Sequence, residues 1–143
     1  VDGTSCYDTL ILARSRKPEF AGIVENATAT AQGNNPMCGD RVKLSLRATD
    51  KGVAGIRHET RGCAICQASA DLMAEAVTGQ SVAAALELGR QFTDMLETPS
   101  AMDSAVERGN LPAGLLAFQP LRTHRSRLRC ATLPWTALGE ALA

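Results

Sequence analysis

Between residues 41 and 48 the chain alternates strictly, with Val42, Leu44, Leu46 and Ala48 apolar and Arg41, Lys43, Ser45 and Arg47 polar. Successive side chains on a strand point to opposite faces, so a period of two dictates a strand with one buried and one solvated face. Asp50-Lys51-Gly52 supplies turn chemistry, and Val53 to Thr60 returns as the second arm of a hairpin. The mixed segment from Ile23 to Thr30 is expected to add a third strand, ended by the turn-rich Gly33-Asn34-Asn35-Pro36. Three strands with short links make an antiparallel meander.

The period changes on either side of that meander. Tyr7, Leu10, Ile11 and Leu12 predict a short amphipathic helix over 7–16, ended by Pro18. Beyond Gly62, Ile65, Ser69, Leu72, Met73, Ala76 and Val77 share one helical face, with Gly79 as the residue past its end. Ser81 is placed to cap a further helix bearing Val82, Ala85, Leu86, Phe92, Met95 and Leu96. Residues 97–114, with Pro99, Gly109 and Pro112, read as an irregular connection, and a last helical region begins near Leu121. The fold class is α+β, a small three-stranded antiparallel sheet covered by helices. With 143 residues the chain is expected to form a single domain spanning 1–143.

Composition narrows function by exclusion. Fifteen basic and fifteen acidic side chains cancel, so no overall field recruits nucleic acid or anionic lipid. Tyr7, Phe20, Phe92, Phe118 and Trp135 are the only aromatics, too few for a platform on which single-stranded bases stack. No apolar run reaches membrane-spanning length and residues 1–20 lack a signal-peptide core, which predicts a cytoplasmic protein binding neither nucleic acid nor membrane. In such a reducing compartment, five cysteines point to metal binding or thiol chemistry rather than disulfides.

Four of the five fall in three short segments: Asn35-Pro36-Met37-Cys38-Gly39-Asp40, Gly62-Cys63-Ala64-Ile65-Cys66 and Arg129-Cys130-Ala131-Thr132-Leu133. Cys38 and Asp40 are two apart in a loop, a spacing that lets both reach one side when extended. Cys63 stands at a helix start, where unpaired amides and the helix dipole favour a thiolate. Pro134 is tolerated in a first helical turn, which predicts a helix opening near Ala131 with Cys130 at its N-cap. Cys38, Asp40, Cys63 and Cys130 are therefore the candidate ligands of one metal. Three thiolates and a carboxylate suit tetrahedral zinc and equally an iron–sulfur cluster. The hard oxygen donor makes a weak corner for iron, fitting a cluster that must be released.

Three stretches resemble motifs of the NifU-like scaffold family (IscU and SufU types): Asn35 to Asp40, Gly62-Cys63 through Ala68-Ser69, and Cys130 to Trp135. Tyr7 to Pro18 is similar to that family's first helix, so the likeness covers nearly the whole chain. Arg129 stands where the IscU type has His before its last Cys, and the 97–120 stretch looks like the SufU insertion. The resemblance implies an iron–sulfur cluster assembly scaffold of NifU/IscU-like fold, binding a metal or nascent cluster through Cys38, Asp40, Cys63 and Cys130. It implies sulfur delivered as persulfide by a pyridoxal-phosphate cysteine desulfurase of the SufS/IscS kind, and apo iron–sulfur proteins as recipients. The implied cofactors are a zinc ion, iron, or a transient 2Fe–2S or 4Fe–4S cluster. A zinc-dependent sulfurtransferase, accepting persulfide without independent turnover, is the alternative, and a structural zinc domain a further one. Cys38, on a loop able to move, is the first candidate persulfide acceptor and Cys130 the second.

Other residues have plainer readings. Cys63 and Cys66 form a Cys-x-x-Cys, but without the βαβ context of a redox motif, and Cys66 reads as a small buried hydrophobe. His58 reads as a surface or satisfied histidine, Cys6 as a terminal thiol, and His124 as solvated or an alternative ligand. Arg122, Arg125, Arg127 and Arg129 make either a solvated face or a dock for an acidic partner.

Overall fold

The computed structural model describes residues 9–36, 39–97, 111–123 and 125–142, so Cys6, Cys38 and His124 lie outside the described residues. In chain order it holds α1 (Thr9–Arg16), β1 (Ala29–Asn35), β2 (Asp40–Thr49), β3 (Gly52–Arg61), α2 (Ala64–Val77) and α3 (Val82–Glu97). A short α4 (Ala113–Leu116), a 3-10 helix (Gln119–Thr123) and α5 (Arg125–Leu142) follow. The three strands form one antiparallel sheet in the order β1-β2-β3. The α+β reading, with a small sheet and covering helices, is the observed architecture.

The alternation in β2 is met except at Ser45, which is buried beneath the segment before β1, its Oγ accepting from the Val24 amide at 2.9 Å. Val42, Leu44 and Leu46 are buried, while Arg41, Lys43 and Arg47 are exposed. The β2–β3 hairpin turns at Asp50-Lys51, with Thr49 opposite Gly52 and an irregularity between Arg47 and Ala48. Gly52 is required there. At φ +117° it passes so close to the chain after α2 that a Cβ would stand 2.2 Å from the Gln80 carbonyl oxygen. Ser81 caps α3 as expected, its Oγ accepting from the Ala84 amide at 3.0 Å.

The first strand is a correction. It runs over Ala29–Asn35 rather than Ile23–Thr30, with Ala29 opposite Leu46 and Asn35 opposite Asp40. Gly33-Asn34 is strand, not turn. The glycine serves close packing: a Cβ on Gly33 would lie 3.0 Å from Leu133 Cδ1 of α5. Between β1 and β2, Gly39 has φ +76° and its N–H donates to the Asn35 carbonyl at 2.8 Å. The register therefore places Asp40 at the very start of β2.

The core lies between the inner face of the sheet and helices α2, α3 and α5. Leu44, Leu46 and Ile56 meet Ile65, Met73, Phe92, Met95 and Leu138, each at most 2% exposed. Phe92 stacks on Trp135 at 5.3 Å between centroids and meets the Phe118 edge at 5.5 Å. Cys66 is fully buried in this core, as its apolar reading required.

The segment after α1 is tied down by Asp71 of α2. That carboxylate, with no exposure, accepts from Arg14 Nε at 2.6 Å and from the Glu19 and Phe20 amides at 2.9 and 2.7 Å. His58 Nε2 lies 2.9 Å from it, and His58 Nδ1 lies 2.8 Å from Thr60 Oγ1. His58 is thus the satisfied histidine, 2% exposed. Burial works against ionisation of Asp71, but the His58, amide and Arg14 hydrogen bonds outweigh it and hold its pKa down at about 2. Among the described residues, no helix is long and apolar enough to cross a membrane.

Candidate metal centre

One end of the sheet brings three of the four candidate ligands together. Asp40, Cys63 and Cys130 each offer a donor atom, and these atoms all lie within 4.8 Å of one another. Asp40 and Cys130 are 1% exposed and Cys63 is half-buried. Cys38, the fourth candidate, lies outside the described residues. In sequence it stands two residues before Asp40.

Each ligand is held by a different device. Asp40 is fixed by strand pairing and by the Cys63 amide, which donates to its Oδ1 at 3.0 Å. Gly62 makes this approach possible. At φ +149° it presents no side chain, where a Cβ would fall 2.1 Å from Asp40 Oδ1. Cys63 is the N-cap of α2, and its carbonyl accepts from the Gln67 amide at 3.1 Å. Cys130 corrects the expected N-cap placement: α5 opens at Arg125, so Cys130 sits in its second turn and Pro134 within the helix. The proline supplies no N–H for the carbonyl four residues back, which is that of Cys130. The next carbonyl, of Ala131, takes a 2.5 Å hydrogen bond from the fully buried Ser69 hydroxyl of α2. Two local sequence signals, Gly62 and a lone serine on an apolar helical face, thus mark contacts that spacing rules did not identify.

The electrostatics favour a cation. The Cys63 thiol is pushed down from 9.0 to about 6, chiefly by a hydrogen bond from Cys130. Burial opposes this, the Cys66 and Ile65 amides at the helix start add to it, and the Asp40 charge works against it. Near neutral pH, Cys63 is therefore largely thiolate, with its Sγ 3.9 Å from Asp40 Oδ2. Tetrahedral zinc, with bonds of about 2.3 Å to sulfur and about 2.0–2.2 Å to oxygen, holds its ligand atoms roughly 3.5–3.8 Å apart. The triad, within 4.8 Å, is slightly wider than that spacing and needs only small side-chain movements to close on an ion, and a metal with borderline-soft character suits its mixed donors. Of the basic run near the third segment, Arg129 is exposed and Arg127 half-buried.

Residues 6–120 match the family model described as the NifU-like N-terminal domain. The zinc-dependent sulfurtransferase SufU of Bacillus subtilis is 31% identical over 137 residues, covering 96% of this chain and 89% of that protein. The iron–sulfur cluster assembly scaffold protein IscU of Streptococcus pyogenes is 32% identical over 139 residues, covering 95% and 82%. A crystal structure from Fervidobacterium islandicum, described as an iron–sulfur cluster assembly scaffold for the SUF system, superposes with a TM-score of 0.87. It is 28% identical and the match covers 99% of this chain and all of that one.

Proposed function

The chain belongs to the NifU-like N-terminal domain family, and from that premise we propose that it is an iron–sulfur cluster assembly protein that receives sulfur at a metal-organised thiol site. The observation that carries the reading is the convergence of the Asp40, Cys63 and Cys130 donors within 4.8 Å, with Cys38 two residues before Asp40 in the sequence. Cys38, Asp40, Cys63 and Cys130 would hold zinc or iron, which when bound keeps the sulfurs as thiolates and in place. A nascent 2Fe–2S or 4Fe–4S cluster is cargo on the same four residues. The donor is a pyridoxal-phosphate cysteine desulfurase, the recipients are apo iron–sulfur proteins, and the setting is the cytoplasm. Residues 1–143 act as one scaffold domain.

Sulfur transfer needs an accessible thiolate. It attacks the outer sulfur of the desulfurase persulfide. A new S–S bond forms as the old one breaks, and the desulfurase cysteine leaves as thiolate. Cys130, at 1% exposure, is poorly placed for that attack, and Cys63 is anchored at the start of α2, so Cys38 ranks first. The zinc-dependent sulfurtransferase reading shares every one of these steps and differs in the cargo. It is supported by the mixed sulfur and oxygen donor set, which suits zinc.

The test is elemental analysis and absorbance of anaerobically purified protein, together with cysteine-dependent sulfide release by a desulfurase of the same organism. About one zinc per chain with stimulation supports the sulfur-acceptor form. Iron, acid-labile sulfide and visible charge-transfer bands support the cluster-bearing form. Absence of stimulation refutes both and leaves a structural zinc domain. Radiolabelled sulfur that still loads onto Cys38→Ala but not Cys130→Ala would reverse the ranking of acceptors.

A further inference from the structure

The solvated face of the sheet carries charge for which the thiol site has no use. Arg41 of β2 stands directly opposite Arg61 of β3, and Lys43 follows on the same face opposite Glu59. Like charges paired across two strands destabilise a sheet. Arg41, Lys43 and Arg61 are all exposed, and the ion pairs of Arg14, His58 and Arg90 involve none of them. These three cations line an open cleft of about 490 Å³ together with His58, Thr60 and Gln67, with Glu59 as its acidic residue.

The cleft adjoins the metal centre through the chain itself. Arg41 follows Asp40, and Arg61 precedes Gly62-Cys63. Gln67, which lines the cleft, donates its side-chain amide to the Gly62 carbonyl at 3.0 Å. A partner seated in the cleft is therefore held beside Asp40 and Cys63. Because the whole chain carries no net charge, this is a local concentration rather than general basicity. The cleft has no Phe, Tyr or Trp in its lining, and His58, which does line it, is 2% exposed with both ring nitrogens partnered, so no ring is offered for nucleic-acid bases to stack on.

We propose that Arg41, Lys43 and Arg61 form a docking surface for a carboxylate-rich patch of the cysteine desulfurase, aligning its persulfide with the thiol site. This inference rests on the proposed function. Charge complementarity of this kind acts through encounter rate and salt dependence more than through packing.

The test titrates the zinc-loaded full chain into a fixed amount of the desulfurase at low and at high salt, reading sulfide release. Wild type, Arg41→Glu/Arg61→Glu and the milder Arg41→Gln/Arg61→Gln are compared, with zinc content and circular dichroism measured for each. Charge reversal should raise the half-stimulating concentration about tenfold or more at low salt, consistent with the loss of electrostatic steering. The glutamine pair should fall between, and maximal stimulation and zinc content should hold. Added salt should weaken wild type and, by screening repulsion, improve the charge-reversed variant, so that the two converge.

Equal half-stimulating concentrations for all three proteins overturn the docking surface while leaving the proposed function standing. So does a loss that is the same at both salt levels. A wild type that never stimulates removes the proposed function first and this inference with it. Charge-dependent retention of a single-stranded RNA oligonucleotide, with no difference in the desulfurase titration, replaces the protein partner by nucleic acid.

Discussion

Gly62→Ala should damage the metal centre without touching a ligand. An added Cβ would sit 2.1 Å from Asp40 Oδ1, 2.8 Å from Cγ and 3.1 Å from Cα. The carboxylate must swing away, because the Asp40 backbone is held by pairing with Asn35. Swinging breaks the 3.0 Å bond from the Cys63 amide, a charge-assisted contact whose loss costs about 1.5–3 kcal/mol. Alanine at φ +149° adds backbone strain of order 1–3 kcal/mol. Metal-free protein should therefore lose roughly 2.5–6 kcal/mol, the sum of the two. Zinc affinity should fall about 10–100-fold, the usual effect of disturbing what orients a ligand. Gly79→Ala is the control. Gly79 has φ +84° with open space where the Cβ would go, so that variant carries strain of about 1–2 kcal/mol and displaces nothing. Urea unfolding and zinc competition against a chromophoric chelator separate the two effects. Wild-type zinc affinity in Gly62→Ala, or an equal loss in Gly79→Ala, would refute the argument that the glycine exists to admit the carboxylate.

In metal-free protein, alkylation of Cys63 should keep its rate as pH falls from 9 and drop through about pH 6, because its thiol is depressed to that value. Peptide-resolved mass spectrometry reads this, and a half-rise near pH 9 would contradict it. Asp71→Asn should destabilise by about 3–5 kcal/mol in urea, since it leaves buried Arg14 without its closest counter-charge. A loss under about 1 kcal/mol, the range of exposed pairs, would count against a buried network. With the Asp71 pKa lowered from 3.8 to about 2, its stabilisation is complete above pH 3.8 and disappears as pH falls toward 2. Wild-type stability in that window should therefore fall more steeply with acid than that of Asp71→Asn. Ser69→Ala removes a buried bond to the Ala131 carbonyl and should cost about 1–3 kcal/mol. It should also weaken zinc binding by loosening the turn that carries Cys130, whereas unchanged affinity would reduce Ser69 to a core residue.

Periodicity read well wherever one face of an element is buried by a single layer. The β2–β3 hairpin and the helix after Gly62 follow that rule, and their boundaries were legible within a residue or two. The first strand was misplaced for a physical reason. Gly33-Asn34-Asn35 carries turn residues, yet its glycine is there because Leu133 of α5 packs onto the backbone. A glycine needed for close approach and one needed for a turn look identical in one sequence. The same ambiguity affected Pro134. A first-turn proline was the cheaper reading locally, but tertiary packing of α5 against α2 and the sheet extends the helix back to Arg125.

The candidate site was legible as a set of residue types but not as a set of constraints. Asp40, Cys63 and Cys130 are 23 and 67 residues apart in sequence, and nothing in their spacing states that they meet. What brings them together is a chain of tolerances that only the packed structure displays. Gly62 lets Asp40 reach the Cys63 amide, Ser69 fixes the α5 turn that presents Cys130, and Gly33 lets that same helix settle on β1. Two of these three are motif positions beside the cysteines, and neither supplies a donor atom. A protein with the four ligands but a side chain at residue 62 should accordingly keep its thiols and lose their geometry, which is why ligand identity alone cannot define this centre.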